Sequence, residues 1–238
     1  MTQQKIYIGK SSREIRDVFI KHIKDSIFVE NSEINKLDLD NLHNNFKISQ
    51  GILKRGKDQS TIFHKAIYSS FDEPNFLKSQ FWKYYTEFCL EVLNILKIQT
   101  GYNGDWCIQR FPTIRFHFPG NISVFEFHRD SNYSHPIGEI NCFYALNECL
   151  DSSALQVEKN LGFEDYLPLN LDAGQYALLN TSIYKHGDIL NKTPKTRVSM
   201  DFRFIPKNLL YENKSSLTKG IKFTSDSYFI DEKKMLNF

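Results

Sequence analysis

His128 and Asp130 stand two residues apart in the stretch FHRDSNYSHP, and His186 lies far downstream in KHGDILNKTPKTRVSM. Two imidazoles and one carboxylate on one side of a ferrous ion form a facial triad, which leaves three positions open for other ligands and dioxygen. Side chains on a strand alternate between faces, so His-x-Asp at a strand end offers two ligands from one side. The pair alone is unspecific, since His186-Gly187-Asp188 repeats it; there Gly187 and the coming turn read as structure. More telling is Arg197, which follows His186 across a turn at 191–194. A hairpin would bring it back beside the metal, with Ser199 on the same face. A guanidinium next to a hydroxyl makes a site for a carboxylate, two-pronged and charge-assisted.

The elements that must position these residues fall into two textures. From residue 11 to about 96, apolar residues recur at helical spacing. Ser11 or Ser12 can cap a helix striped by Ile15, Val18, Phe19, Ile23 and Ile27. A weaker helical pattern covers 34–46, and the strongest runs over 75–96 through Phe81, Tyr84, Tyr85, Phe88, Val92 and Ile95. Between them lie a polar loop at 51–60 and a short expected strand at 62–68. From 106 to 206 the pattern changes to short alternating runs: 107–118, 122–128, 137–146, 154–158, 175–179, 184–186 and 196–205. Turn residues at 119–120, 132–136, 172–174 and 191–194 separate them. Many short strands with regular turns suggest a sandwich or a jelly-roll barrel.

Period-two alternation puts Glu126, His128 and Asp130 on one face and Phe125 and Phe127 on the other. In the last strand Arg197, Ser199, Asp201 and Arg203 share a face opposite Val198, Met200, Phe202 and Phe204. Glu139 and Asn141 oppose Ile140, Cys142, Tyr144 and Leu146. Each polar face is either a solvated outer face or the lining of a barrel mouth whose apolar side packs on the helices. If they line it, the pocket is rich in charge. Arg115, His117, Glu126, Tyr133, Glu139 and Glu158 are then candidate contacts for a small polar substrate such as an amino acid derivative or aminosugar. Asn141 joins Arg197 and Ser199 as a candidate contact for the carboxylate ligand. His22, His43 and His64 read as packing or surface residues, and His117 and His135 as weaker substitutes for His186. Asp201 and Arg203 read as a structural pair. HRD lacks the Asn, Gly-rich loop and V-A-I-K strand of a kinase.

The combination His128-x-Asp130, His186 and Arg197-x-Ser199 resembles the Fe(II)/2-oxoglutarate-dependent oxygenases. More narrowly, QRFPTIRFHFP, FHRDSNYSHPIGEIN and HGDILNKTPKTRVSMDFR resemble the group named for the streptomycin-biosynthesis protein StrG, over roughly 109–206. The resemblance implies a mainly β fold with flanking α: a double-stranded β-helix (a jelly-roll, cupin-like barrel) preceded by N-terminal helices. It implies that His128, Asp130 and His186 hold Fe(II) and that Arg197 and Ser199 bind the far carboxylate of 2-oxoglutarate. Dioxygen would oxidise that cosubstrate to succinate and carbon dioxide while a C–H bond of the substrate is oxidised. Halogenating relatives lack the carboxylate ligand. Asp130 is present, so hydroxylation is favoured, with desaturation, ring closure and epimerisation left open. The rival is a non-redox cupin-like barrel, a metal-dependent isomerase or a sugar-binding module, which has no need of Arg197 with Ser199. The expected organisation is one domain over 1–238: a helical flanking part at 1–104, the jelly-roll core at 105–206 and a C-terminal extension at 207–238.

Composition bounds the rest. The chain has 238 residues, 41% hydrophobic and 24% charged, with 20 Phe and 12 Tyr for an aromatic core. A net charge of +2 gives no broad basic field, which argues against nucleic acid as a partner. The N-terminus has no apolar signal region, no stretch approaches a membrane span, and Cys89, Cys107, Cys142 and Cys149 form no C-x-x-C pair. The expectation is a cytoplasmic monomer or homodimer with reduced thiols.

Overall fold

The computed structural model describes residues 2–27, 38–45, 62–123, 127–210, 215 and 222–235. In chain order the elements are β1 (Tyr7–Lys10), α1 (Arg13–Ser26), α2 (Ile62–Phe71), α3 (Gln80–Thr100), β2 (Trp106–Gln109), β3 (Thr113–His117), β4 (Ile140–Ala145), β5 (Leu155–Glu158), β6 (Tyr166–Leu169), β7 (Gln175–Leu179), β8 (His186–Gly187), β9 (Arg197–Pro206), β10 (Phe229–Asp231) and α4 (Glu232–Met235). Short 3₁₀ turns, among them Asp130–Tyr133, connect several of them.

Seven strands form an antiparallel sheet in the order β1-β7-β4-β9-β2-β10, with β3 also pairing β9. A second sheet runs β6-β5-β8. Strand β9 is the organiser. One edge pairs β4 along Ile140↔Phe204 to Ala145↔Ser199. The other is shared by β3, along Thr113↔Asp201 to His117↔Arg197, and β2, along Trp106↔Pro206 to Ile108↔Phe204.

Alternation on β9 sorts its residues as the sequence implied. Val198, Met200, Phe202 and Phe204 join the large core with the helices. Phe202 meets Tyr85 and Phe88 at centroid distances of 5.2 and 5.8 Å, and Tyr144 of β4 meets Phe88 at 5.1 Å. The opposite face carries Arg197, Ser199, Asp201 and Arg203, all buried. Phe143 and Ala145 of β4 and Ala177 and Leu179 of β7 cluster there with Leu155 and Val157 of β5 and Leu169 of β6, so the two sheets meet through this second core.

The helices form for local reasons. The Ser12 side chain accepts from the Ile15 N–H and starts α1, which buries Ile15, Phe19 and Ile23 at i, i+4 spacing. Ser79 caps α3 in the same way, and Gly101 at φ 68° ends it. Tyr84 and Ile95 are only partly buried at the margin of its stripe.

Several expectations are corrected. The strand expected at 62–68 is helix α2, because Phe63, Ile67 and Phe71 recur every four residues, and all three are buried. The single strand expected at 107–118 is two, β2 and β3. Pro112, which has no N–H to donate, lies in the break between them, and both strands still reach β9. Strand β4 begins later than 137, since Gly138 sits at φ 103°. Of the 122–128 run, His128 makes a bridge, while 124–126 lie outside the described residues. So do the 51–60 loop and residues 34–37 and 46 of the 34–46 pattern, of which Leu42–Asn45 forms a 3₁₀ turn. Strands β1, β6 and β10 were not foreseen.

Candidate metal centre

The two histidines are brought together by the backbone. His128 and His186 form an antiparallel bridge in which each N–H donates to the other's carbonyl, at 3.0 and 2.9 Å. Residues paired in this way project to the same side of the sheet. Their rings lie 4.5 Å apart. His186 is also opposite Val157 of β5, so both imidazoles face the space between the sheets.

Asp130 follows from His128 by parity, and the Thr181 carbonyl accepts its N–H at 2.8 Å. Its two oxygens part company. Oδ1 lies 3.7 Å from His128 Nε2 and 3.6 Å from His186 Nε2. Oδ2 accepts from Thr181 Oγ1 at 2.7 Å and from Arg203 Nε and Nη2 at 3.1 and 3.0 Å. Among the described residues, His128, Asp130 and His186 are the group whose ligand atoms converge, all within 4.8 Å of one another.

This donor set fits a divalent first-row ion. Cis ligands about 2.1 Å from an octahedral ion stand roughly 3 Å apart, so the gaps at Oδ1 need only a small contraction. The protonation states agree. Burial chiefly pushes His186 down to about 4, against the pull of Asp130, so its imidazole is neutral, the form that ligates. Burial opposes ionisation of Asp130, but Arg203 and the imidazoles outweigh it and hold the carboxyl well below the usual range. A neutral imidazole at His186 and an ionised carboxylate at Asp130 are the forms in which these side chains bind iron(II) in a facial triad.

Around the triad lies a buried charge network. Arg203 also donates to Asp201 Oδ2 and Gln109 Oε1, both at 3.1 Å, and to the Tyr228 hydroxyl at 3.3 Å, and it stands 3.5 Å from Glu139. His135 Nδ1 pairs with Glu139 Oε2 at 2.9 Å. Burial pushes Glu139 up, with His135 and Arg203 only partly offsetting it. The Tyr133 ring meets the His128 ring edge-on at 5.1 Å. Arg203, Thr181 and Tyr228 were not singled out for the site from sequence. Parity put Arg203 on this face, but nothing in the spacing showed that its guanidinium reaches Asp130.

The remaining candidates are placed as follows. Arg115 pairs with Asp201 at 3.0 Å. Asn141 lies opposite Arg203, and Ser199 opposite Arg115 and Ala145. Asn141 Oδ1 and Ser199 Oγ are buried without a hydrogen-bond partner among the described residues. His117 is buried against the Asn121 and Ser153 carbonyls, 2.9 and 3.4 Å from its ring nitrogens. Glu158 is not brought in. It lies on the face of β5 opposite Val157 and accepts the N–H groups of Gly162, Glu164 and Lys185. Glu126 lies outside the described residues. Arg197 keeps the expected face, but its guanidinium holds Asp188 at 2.8 Å.

Fold and donor set define the class: a protein of antiparallel sheets with a two-histidine, one-carboxylate candidate metal site. No protein-family model matches the chain. It is similar to the streptomycin biosynthesis protein StrG of Streptomyces griseus, 26% identical over 182 residues, which cover 76% of this chain and 81% of that protein. Among solved structures it is similar to the nickel complex of the non-haem monooxygenase ThoJ (12% identity, TM-score 0.46, 90% of this chain and 80% of that one). It is also similar to SnoN, a non-haem alpha-ketoglutarate-dependent epimerase from nogalamycin biosynthesis (12% identity, TM-score 0.44, 55% and 58%). The four cysteines are buried thiols, and burial pushes Cys107 and Cys149 up to about 12. Among the described residues no helix is long and apolar enough to cross a membrane.

Proposed function

We propose that this chain is an Fe(II)- and 2-oxoglutarate-dependent oxygenase built on a double-stranded β-helix, and that it oxidises a C–H bond of a small polar metabolite. The observation that carries this reading is the convergence of His128 Nε2, His186 Nε2 and Asp130 Oδ1 between the two sheets. The likeness to a protein of streptomycin biosynthesis supports a small polar substrate such as an aminosugar or amino acid derivative. Bound Fe(II) would supply the redox chemistry, coupling oxidation of 2-oxoglutarate to succinate and carbon dioxide with oxidation of the substrate.

The chain's own residues do the rest. The backbone bridge between His128 and His186 brings both imidazoles to one side of the sheet before any metal arrives. Arg203 and Thr181 hold Asp130 Oδ2, so the carboxylate offers one oxygen and other positions stay open. The apolar cluster between the sheets borders the centre at Val157, opposite His186, and limits water on that side. Ser199 and Asn141 offer polar atoms to a ligand. Tyr133, Glu139 and Arg115 supply a ring, an acid and a cation near enough to the network to read donors and acceptors on a substrate.

One observation favours a second reading. Arg197, the expected anchor for 2-oxoglutarate, is paired with Asp188. A non-redox metal-dependent isomerase or sugar-binding barrel needs no such anchor. The test is anaerobic. Protein loaded with Fe(II) should develop a visible charge-transfer band on addition of millimolar 2-oxoglutarate, and then release succinate in air. Metal-loaded protein that shows neither belongs to the second reading. Asp130→Ala removes the anionic ligand and should take turnover to background while the circular dichroism spectrum is kept; retained activity would overturn the ligand assignment.

A further inference from the structure

The side chain expected to receive the far carboxylate of a dicarboxylic acid already holds a carboxylate from its own chain. Arg197 Nη1 donates to Asp188 Oδ1 at 2.8 Å and to the Ser153 carbonyl at 2.8 Å. Its Nη2 donates to Asp188 Oδ2 at 3.1 Å and to Ser123 Oγ at 3.2 Å. Ser123 Oγ donates in turn to Asp188 Oδ2, closing a three-residue ring. This is the two-pronged geometry by which a guanidinium takes any carboxylate. It is also dry: Arg197 is 1% exposed and Asp188 5%.

Beside this pair, polar atoms stand unused. Arg197 Nε and Ser199 Oγ have no hydrogen-bond partner among the described residues, and both residues are almost fully buried. Asn141 Oδ1 is in the same condition. A buried polar atom without a partner costs free energy, and a ligand that supplies one recovers it. Local structure alone does not account for Arg197 and Ser199 together. The first is saturated at its two terminal nitrogens by Asp188, the Ser153 carbonyl and the Ser123 hydroxyl; its remaining donor and the neighbouring hydroxyl have no hydrogen-bond partner among the described residues.

We propose that Asp188 is a built-in competitor for the carboxylate-binding face of Arg197, so that a dicarboxylic cosubstrate docks there only by displacing it, and that Asp188 thereby sets the affinity of this chain for 2-oxoglutarate. The inference rests on the oxygenase reading above. Two carboxylates cannot share one guanidinium edge without repulsion. A displaced Asp188 keeps the Ser123 hydroxyl beside it as a hydrogen-bond donor. With Asp188 neutralised, Arg197 is a buried cation lying 5.6 Å from the Phe143 ring centroid, with no anion on its terminal nitrogens. Such a cation binds an incoming carboxylate strongly. The competition concerns only the far carboxylate, so a 2-oxo acid that lacks one is indifferent to it.

The test compares the full chain with Asp188→Asn, Asp188→Ser and the double variant Asp188→Ser/Arg197→Met. All are loaded anaerobically with Co(II) and titrated calorimetrically with 2-oxoglutarate and with 2-oxobutanoate. Both single variants should bind 2-oxoglutarate about ten-fold or more tighter than the wild type, as loss of a charge-assisted competitor requires. Their affinity for 2-oxobutanoate should stay within about two-fold, and the double variant should lose the gain. The asparagine keeps the shape of the aspartate and so guards against a folding defect in the serine variant. Equal or weaker 2-oxoglutarate binding by both single variants would overturn the proposal and leave the oxygenase reading standing. Co(II) bound with no uptake of 2-oxoglutarate by any variant would end the cosubstrate reading, and this inference with it.

Discussion

Asp130 divides its two oxygens between two tasks. Oδ1 faces both imidazoles, and Oδ2 is held by Arg203 and Thr181. Arg203 is thus a positioning residue for the metal ligand, acting through two hydrogen bonds that lysine cannot reproduce. Arg203→Lys should weaken Co(II) or Fe(II) binding by about 10–100-fold, the usual effect of losing the outer partner of a ligand, with the fold intact. Arg203→Met removes the cation from among Asp130, Asp201 and Glu139 and should cost about 3–5 kcal/mol of stability by urea denaturation. Metal affinity unchanged in the lysine variant would contradict the role. At this scale the sequence was legible where parity or short spacing sufficed: His128 with Asp130, and Arg197 with Ser199 on one face. Arg203–Asp130 and Arg197–Asp188 were not, because where a guanidinium ends depends on the path of a distant segment as well as on its own strand.

Strand pairing does most of the positioning. The His128–His186 bridge joins segments far apart in sequence, and the pair can approach because Gly187 beside it admits Phe127. A Cβ at residue 187 would lie 3.2 Å from the Phe127 Cα and ring. On the helical side, His22 of α1 sits among Phe71, Phe76 and Phe81, 4.4 Å from the last ring, with Nε2 3.0 Å from Ser70 Oγ. Burial moves it from 6.5 to about 4, Asp25 pulling up and Lys21 down. The unfolded chain therefore takes up this proton first as pH falls. The contribution is complete above about 6.5 and is lost as pH drops toward 4, by up to about 3 kcal/mol at about 1.4 kcal/mol per unit. His22→Leu should flatten that part of the stability profile measured between those limits. Long periodic elements were read correctly, α1 and α3 to within a few residues. Short ones were not: α2 was taken for a strand over seven residues that fit both periods, and β1, β6 and β10 have only three or four residues each.

At the scale of the whole molecule, the division at 104 and 206 marks texture more than structure. β1 from the first part pairs β7, and β10 from the last pairs β2, so both ends of the chain enter the seven-stranded sheet. The C-terminal segment also brings Tyr228 to Arg203 and completes a small core of Cys107, Ile205, Phe223 and Phe229. Phe229→Ala should cost about 3–5 kcal/mol, as truncation of a buried ring does. Unfolding followed by circular dichroism and by tryptophan fluorescence should coincide in one transition; two separated transitions would show independent parts. The account rests most heavily on one cation between two sheets, and anomalous diffraction from anaerobic crystals grown with Fe(II) tests that directly. It predicts a single strong iron peak bonded to His128 Nε2, His186 Nε2 and Asp130 Oδ1. A peak elsewhere, or none with the three side chains ordered as described, would contradict it.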